Sequence, residues 1–409
     1  MKKLFIILLV LAVAGGAFAQ DLTWSGQLQT GVWFQGGDFP SGTPAVKADD
    51  DDSGHGVEAK ITALYDAGDW GLKFTPRVVA DAVPDINDPM SKAIDANLFA
   101  DNAYGWINFL DKMINVKTGF INDAVWGNAG QFGENYDAGL GVRLEVMPID
   151  GLNVGAFFNY PDGGSTAGKT KNFFGETAFG FKYTADVWNL SATLKLYSEE
   201  STYSVDTYQT DPLTGDYILD ADGNKIPATY KPDMKALFGF GFTGVQNLTV
   251  IVDGHFLNMS SWSDQGKFEC WEEFGYQLSN PFTVGLNLFE AMSGDSDVGF
   301  YNFGVWPYAY YMVTDSVQVG LDVKLFLGKN NWDGTYDDGS GNVNSMGLNQ
   351  LNPDIFVKYT MGNAWVQGTY VVDYWMKDYT ANTAVLGTTA KSGDAAFNQW
   401  LKVVFGYTF

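Results

Sequence analysis

One cysteine, Cys270, stands among 409 residues, so no intramolecular disulfide can form. Histidine is nearly absent: only His55 and His255 occur, and no phosphate-binding loop or zinc-type cluster accompanies them. These absences disfavour an enzyme. Charged residues are 18% of the chain, below the usual quarter of a soluble domain. Positive charge is scarcest, with 24 Lys and Arg against 48 Asp and Glu, a net charge of −24. Phosphate backbones are bound by clustered Lys and Arg, so nucleic acid is excluded as a partner. Beyond the first twenty residues no run of 18 apolar residues exists, which excludes helical membrane spans.

What is present points the other way. Hydrophobic residues make up 46%, aromatics 16%, and there are 48 glycines. Aromatic and glycine richness without long apolar runs fits alternating strands. The N-terminus carries Lys2 and Lys3, an apolar stretch Leu4 to Val13, and Ala17-Phe18-Ala19 ahead of Gln20. That pattern is a cleavable signal peptide over residues 1–19, leaving 20–409 as a single exported domain. No Cys follows the cleavage point, which argues against a lipoprotein.

Alternation of apolar and polar residues predicts strands at Leu22–Gln35, Val57–Tyr65, Trp70–Ala80, Ala103–Leu110, Ile114–Ile121 and Leu140–Met147. It continues at Leu152–Asn159, Phe173–Thr184, Trp188–Ser198, Lys235–Thr243, Leu248–Leu257 and Trp271–Leu278. The last six are Phe282–Met292, Phe303–Val313, Val317–Leu327, Pro353–Met361, Ala364–Trp375 and Trp400–Phe409. These are 18 strands, with 16 as the alternative count, and most have the roughly ten residues that cross a bilayer at a tilt. Connections alternate between short turns rich in Gly, Asn, Asp and Pro, such as Asp66 to Asp69 and Gly362-Asn363, and long loops, up to the 36 residues of Glu199–Met234. Such sorting suits an up-and-down barrel and has no purpose in a soluble sandwich. Hydrocarbon leaves no partner for an open sheet edge, so membrane strands must close on themselves.

The final strand carries Leu401, Val403, Phe405, Tyr407 and Phe409 on one parity and ends on Phe409. It resembles the terminal strand of bacterial outer-membrane β-barrels, a class-level resemblance carried by the two ends of the chain. The resemblance implies an all-β transmembrane antiparallel barrel in the outer membrane of a Gram-negative bacterium. Its partners would be outer-membrane lipid and the barrel-assembly machinery, which reads the Phe409 strand. A porin function follows: passive diffusion of small hydrophilic solutes and ions, with homotrimers common in the class. A substrate-specific porin for sugars or organic solutes is the first alternative, and a surface adhesin or structural barrel the second. A plug-bearing transporter is disfavoured because the first strand begins close to the cleavage site. No cofactor or metal is implied.

Strand parity assigns the charges. Leu140, Val142, Leu144 and Val146 would face lipid, with Arg143 and Glu145 inward; Val319, Leu321, Val323 and Leu325 would face lipid, with Asp322 and Lys324 inward. Glu272 and Glu290 break the pattern and are expected near strand ends. The inward charges then segregate. The first ten strands supply a basic wall, Lys60, Lys73, Arg77, Lys117, Arg143, Lys182, Lys195 and Lys235, against Glu58, Glu145 and Glu176. The last eight supply an acidic wall, Asp253, Glu273, Asp322, Asp354 and Asp373, against Lys324, Lys358 and Lys402. Facing walls of opposite sign resemble the transverse field of general porins; solvated or paired lumen charges are the plainer reading. The loop after the fifth strand, Asn122–Ala138, holds Trp126, Phe132, Glu134 and Tyr136 and is a candidate constriction by its position.

Trp306, Tyr308 and Tyr310 share one parity. Inward they would form an aromatic track for sugar rings; outward, the simpler reading, they belong to the interfacial girdle. His255 falls on the inward parity beside Asp253, as a lining pair. Asp49 to Asp52, Asp333, Asp337, Asp338, Asp211, Asp216, Asp220 and Asp222 sit in long loops and would make the external mouth acidic and cation-attracting. Asp220-Ala221-Asp222-Gly223-Asn224 begins like a calcium loop but departs from it at Gly223 and at Lys231, where the bidentate Glu belongs.

Overall fold

The computed structural model describes residues 22–37, 45–48, 57–81, 95–129, 134–159, 177–196, 234–279, 281–294, 300–328, 347–375 and 396–409. The acidic long-loop residues named above, the leader, His55 and Glu176 lie outside them.

Eighteen antiparallel strands form one closed wall. They are β1 Leu22–Gly37, β2 Val57–Asp66, β3 Trp70–Asp81, β4 Asp95–Phe109, β5 Ile114–Ile121 and β6 Gly139–Ile149. The next six are β7 Leu152–Asn159, β8 Thr177–Thr184, β9 Trp188–Leu196, β10 Met234–Phe242, β11 Leu248–Leu257 and β12 Lys267–Ser279. The circle is completed by β13 Phe282–Ser293, β14 Phe300–Thr314, β15 Val317–Gly328, β16 Gly347–Met361, β17 Ala364–Trp375 and β18 Ala396–Thr408. Each strand pairs with its sequence neighbours, and β1 pairs with both β2 and β18, so the sheet has no edge. At the seam Gly26 and Phe409 exchange backbone hydrogen bonds of 2.9 and 3.0 Å. Gly26 is required there: an added Cβ would lie 2.3 Å from the Phe409 ring.

All 18 predicted strands are present. The largest boundary differences are at β4, which starts at Asp95 and not Ala103, and β16, which starts at Gly347 and not Pro353. Register shifts between Thr75 and Pro76 and between Phe326 and Leu327 explain both, because a bulge interrupts the period-2 alternation.

Directly opposed residues share a face, so the ladder register sorts every side chain. Outward residues are apolar and exposed, among them Leu28, Leu72, Ile107, Leu140, Phe181, Leu194, Leu321, Ile355 and Phe405. So large a continuous apolar surface on a monomer demands a nonaqueous surrounding. Aromatic pairs mark both rims of this belt. Tyr65–Trp70, Tyr183–Trp188 and Tyr407–Phe409 lie at the short-turn rim, and Phe256–Phe268 and Phe256–Trp262 at the other. Pairing fixes the parity of β4 and β17. Asn102, Tyr104 and Trp106 oppose the inward Thr75, Lys73 and Gly71, and Thr369 opposes Lys402.

One expectation fails. Glu272 and Glu290 do lie on the outer parity, but Glu272 is the sixth of the 13 residues of β12, in the body of the strand. The register makes the two carboxylates diagonal neighbours, since Glu272 opposes Leu288 and Glu290 opposes Cys270. Glu290 lies near the end of its strand, as expected, and both sit below the Phe256–Phe268 rim pair.

Candidate functional site

The basic wall and the loop are one construction. After β5 the chain turns into the barrel and crosses the inner faces of β7 to β11. Trp126 is fully buried against Ile121, Phe157 and Ala178. Its indole N–H donates to Asn153 Oδ1 at 2.7 Å, and Thr193 donates to its carbonyl. The indole lies over Gly155 and Gly180, where an added Cβ would come within 2.6 and 2.4 Å of Trp126. Beyond it, two-residue strands Asn128–Ala129 and Glu134–Asn135 pair, Asn128–Ala129 lies against β10 and β11, and Tyr136 packs on Leu237 and Leu257.

Polar bonds pin the start of the loop to the wall. Lys73 Nζ donates to both Asp123 carboxylate oxygens at 2.9 and 2.8 Å, and the Tyr104 hydroxyl adds a bond of 2.6 Å. Asp123 lies on the loop, outside the strands. Burial alone would raise its pKa, but the bonds from Lys73 and Tyr104 and the charges of Lys73 and Arg143 outweigh it and hold the carboxyl below 3.8. Asp137 Oδ2 accepts the backbone N–H of Val125 at 2.6 Å. Arg143 is fully buried beneath: its Nε meets Glu145 at 3.0 Å, and its Nη1 reaches Asp137 at 3.5 Å and the Asp123 carbonyl. Lys117 Nζ meets the same Glu145 oxygen at 2.8 Å. Higher on the wall Arg77 and Lys60 share Glu58, at 2.5 and 2.9 Å, and Asp101, at 3.8 and 3.6 Å.

The five cations Lys60, Lys73, Arg77, Lys117 and Arg143 do face inward, but five carboxylates, Glu58, Asp101, Asp123, Asp137 and Glu145, sit among them. Over β2 to β6 and the loop these ten named charges balance, so this stretch of the expected basic wall carries its own counter-ions. Sequence reading missed Asp101, Asp123 and Asp137. Asp101 sits at the β4 bulge, above the predicted strand start, and the two others lie on the loop. Lys182, Lys195 and Lys235 also fall on the inner parity, with Lys195 directly opposite Lys235. Phe132 lies outside the described residues, as does the side chain of Glu134.

The other half differs in kind. Asp253, Glu273, Asp322, Asp354 and Asp373 all take inner positions. Lys324 pairs with Asp354 at 3.0 Å, and Gln350 donates to Asp373 at 2.7 Å. His255 meets Glu269 at 2.5 Å. Between the carboxylates runs an aromatic strip. Trp306, Tyr308 and Tyr310 oppose Asn287, Gly285 and Thr283 and point inward, which overturns the girdle reading. Trp306 meets Trp271 edge-on at 4.5 Å, and the Tyr308 and Tyr310 rings stack at 4.8 Å. Tyr308 donates to Glu273 at 3.4 Å and Tyr310 to Asp322 at 3.0 Å. The side-chain periodicity that identified the strip could not orient it, because the opposite parity, Val305, Pro307, Ala309 and Tyr311, is equally acceptable to lipid.

A closed 18-stranded barrel, apolar outside, charged inside and carrying an in-folded loop, defines the architecture of outer-membrane porins. Solved structures of that architecture are similar. Acinetobacter baumannii OccAB4 gives a TM-score of 0.53 at 9% identity, over 95% of this chain and 99% of that one. Pseudomonas aeruginosa OpdQ gives 0.50 at 10% over 95% and 99%, and Pseudomonas aeruginosa OccK7 (OpdD) the same values. At these identities the likeness is one of fold. No protein-family model and no curated protein matches the chain.

Proposed function

We propose that the chain is an outer-membrane porin, exported by its leader, and that it passes small hydrophilic solutes and ions by passive diffusion with a preference for cations. The reading rests on one observation above the others. The wall has an apolar exterior, interrupted among the described strands by Glu272 and Glu290, and a charged interior whose carboxylates outnumber its Lys and Arg over β11 to β17 among the described residues. A barrel of 18 strands is wide enough to keep water inside after its wall side chains are placed. Carboxylate-lined pores favour cations. The in-folded loop carrying Trp126 and Tyr136 occupies part of the interior and is the constriction in this reading.

A second reading, a substrate-selective channel, is favoured by the inward aromatic strip. Tryptophan and tyrosine on a lumen wall offer a solute more than passage. Refolded barrel in a planar bilayer tests both. Large steady conductance steps support the porin, and saturable block by a solute supports selectivity. A heat-modifiable barrel without conductance would overturn both in favour of a structural or adhesive role.

A further inference from the structure

We propose that the inner wall of β12 to β15 holds a binding site for organic cations: an alkylammonium group seated on the Tyr308 and Tyr310 ring pair, between the carboxylates of Glu273 and Asp322. The inference deepens the substrate-selective reading above and relies on it for access of solute to the lumen.

Four features converge on that chemistry. The tyrosine rings have room to lie against the wall because glycines oppose them. An added Cβ at Gly285 would come within 2.1 Å of Tyr308 Cζ, and one at Gly320 within 2.8 Å of Tyr310 Cδ1. Both tyrosines are half-buried, so the pair is still reachable from the lumen. Each hydroxyl donates to a carboxylate, Tyr308 to Glu273 and Tyr310 to Asp322. An ionised carboxylate has about four lone-pair sites, so one such bond leaves acceptor capacity for a second donor. Asp253 adds a third carboxylate, diagonal to Glu273 in the register.

The strongest pointer is internal. Lys324 Nζ lies 5.2 Å from the centre of the Trp306 ring and 3.0 Å from Asp354. The wall thus already seats one ammonium between an aromatic face and a carboxylate, one position along the same strip. Lys358 stands 4.7 Å over Trp365 in the same way. Ring quadrupoles attract ammonium groups, more strongly when water is partly excluded. A neutral sugar would use the rings but gain nothing from the charge, and an anion would be repelled.

Butylammonium, maltose and benzoate are the probes, applied to the full refolded barrel in a planar bilayer. Butylammonium is expected to block the current saturably, and maltose and benzoate to block far less. Asp322→Asn with Glu273→Gln should raise the half-blocking concentration about tenfold or more. Tyr308→Leu with Tyr310→Leu should raise it at least threefold, whereas Tyr308→Phe with Tyr310→Phe, which keeps the rings, should raise it less. Block that is unchanged in the carboxylate variant, or maltose block as strong as that by butylammonium, would overturn the site. Tryptophan fluorescence of the detergent-folded barrel titrated with butylammonium reads binding without conductance. A saturable change there from a silent channel would support the site and overturn only the porin reading. No change in either measurement would overturn the site.

Discussion

Two stretches of the inner wall, β2 to β6 with the loop and β11 to β17, carry similar numbers of carboxylates and use them differently. Over β2 to β6 and the loop, Glu58, Asp101, Asp123, Asp137 and Glu145 are each matched by Lys or Arg, and the loop is fastened on top, so charge there serves attachment. Over β11 to β17 the carboxylates bond to tyrosine hydroxyls and an amide and are only partly matched by cations. Charge that is paired and covered contributes little to the field in the lumen; charge that is left over sets it. The comparison shows that a tally of Lys and Arg by strand is a poor guide to selectivity unless the loops that supply their counter-ions are placed too.

The pairing can be broken where it is most buried. Arg143→Met leaves Glu145 and Asp137 without their shared guanidinium and should destabilise the folded barrel by about 3–5 kcal/mol, read as a lower urea midpoint. Trp126→Ala removes a fully buried ring from the loop anchor, with a cost of about 3–5 kcal/mol. If the lost contacts free the loop alone, the same variant should show larger and noisier conductance with a smaller shift in the midpoint.

Acid should loosen the same attachment at a defined point. The Asp123 carboxyl is held below its ordinary value, so its contribution is fully present above pH 3.8 and is lost as pH falls below that value. The Asp123 bonds are therefore expected to hold from neutral pH down to about pH 4 and to fail only in stronger acid, whereas Asp137, whose carboxyl is pushed up by burial, takes up its proton at higher pH. A rise near pH 6 in current noise attributable to the loop would assign the latch to another group. The smallest effect is expected at Lys60, whose side chain is a third exposed. Lys60→Met should change stability by about 0–1 kcal/mol, because a solvated ion pair is screened.

Much of this architecture is legible in the chain. Period-2 alternation placed all 18 strands, and the sorting of short and long connections gave the up-and-down order, because burial in lipid leaves no freedom to disguise either. Inward charges followed from the same parity. What alternation could not supply was anything that depends on a neighbour brought from elsewhere. The Asp123 and Asp137 counter-ions come from a loop with no period. Asp101 is displaced by a bulge. The direction of Trp306, Tyr308 and Tyr310 was undecided because both faces of β14 are aromatic or apolar. It became clear only from the ladder, which sets Tyr308 opposite Asp322 and Trp306 opposite Asn287.

The reversal potential under a potassium chloride gradient tests the central claim most directly, compared between the native barrel and the triple variant Asp253→Asn, Glu273→Gln, Asp322→Asn. The native channel should show a cation-selective potential, and the triple variant a clear shift toward zero at similar conductance. An unchanged potential in the variant would contradict the assignment of selectivity to the β11 to β15 wall.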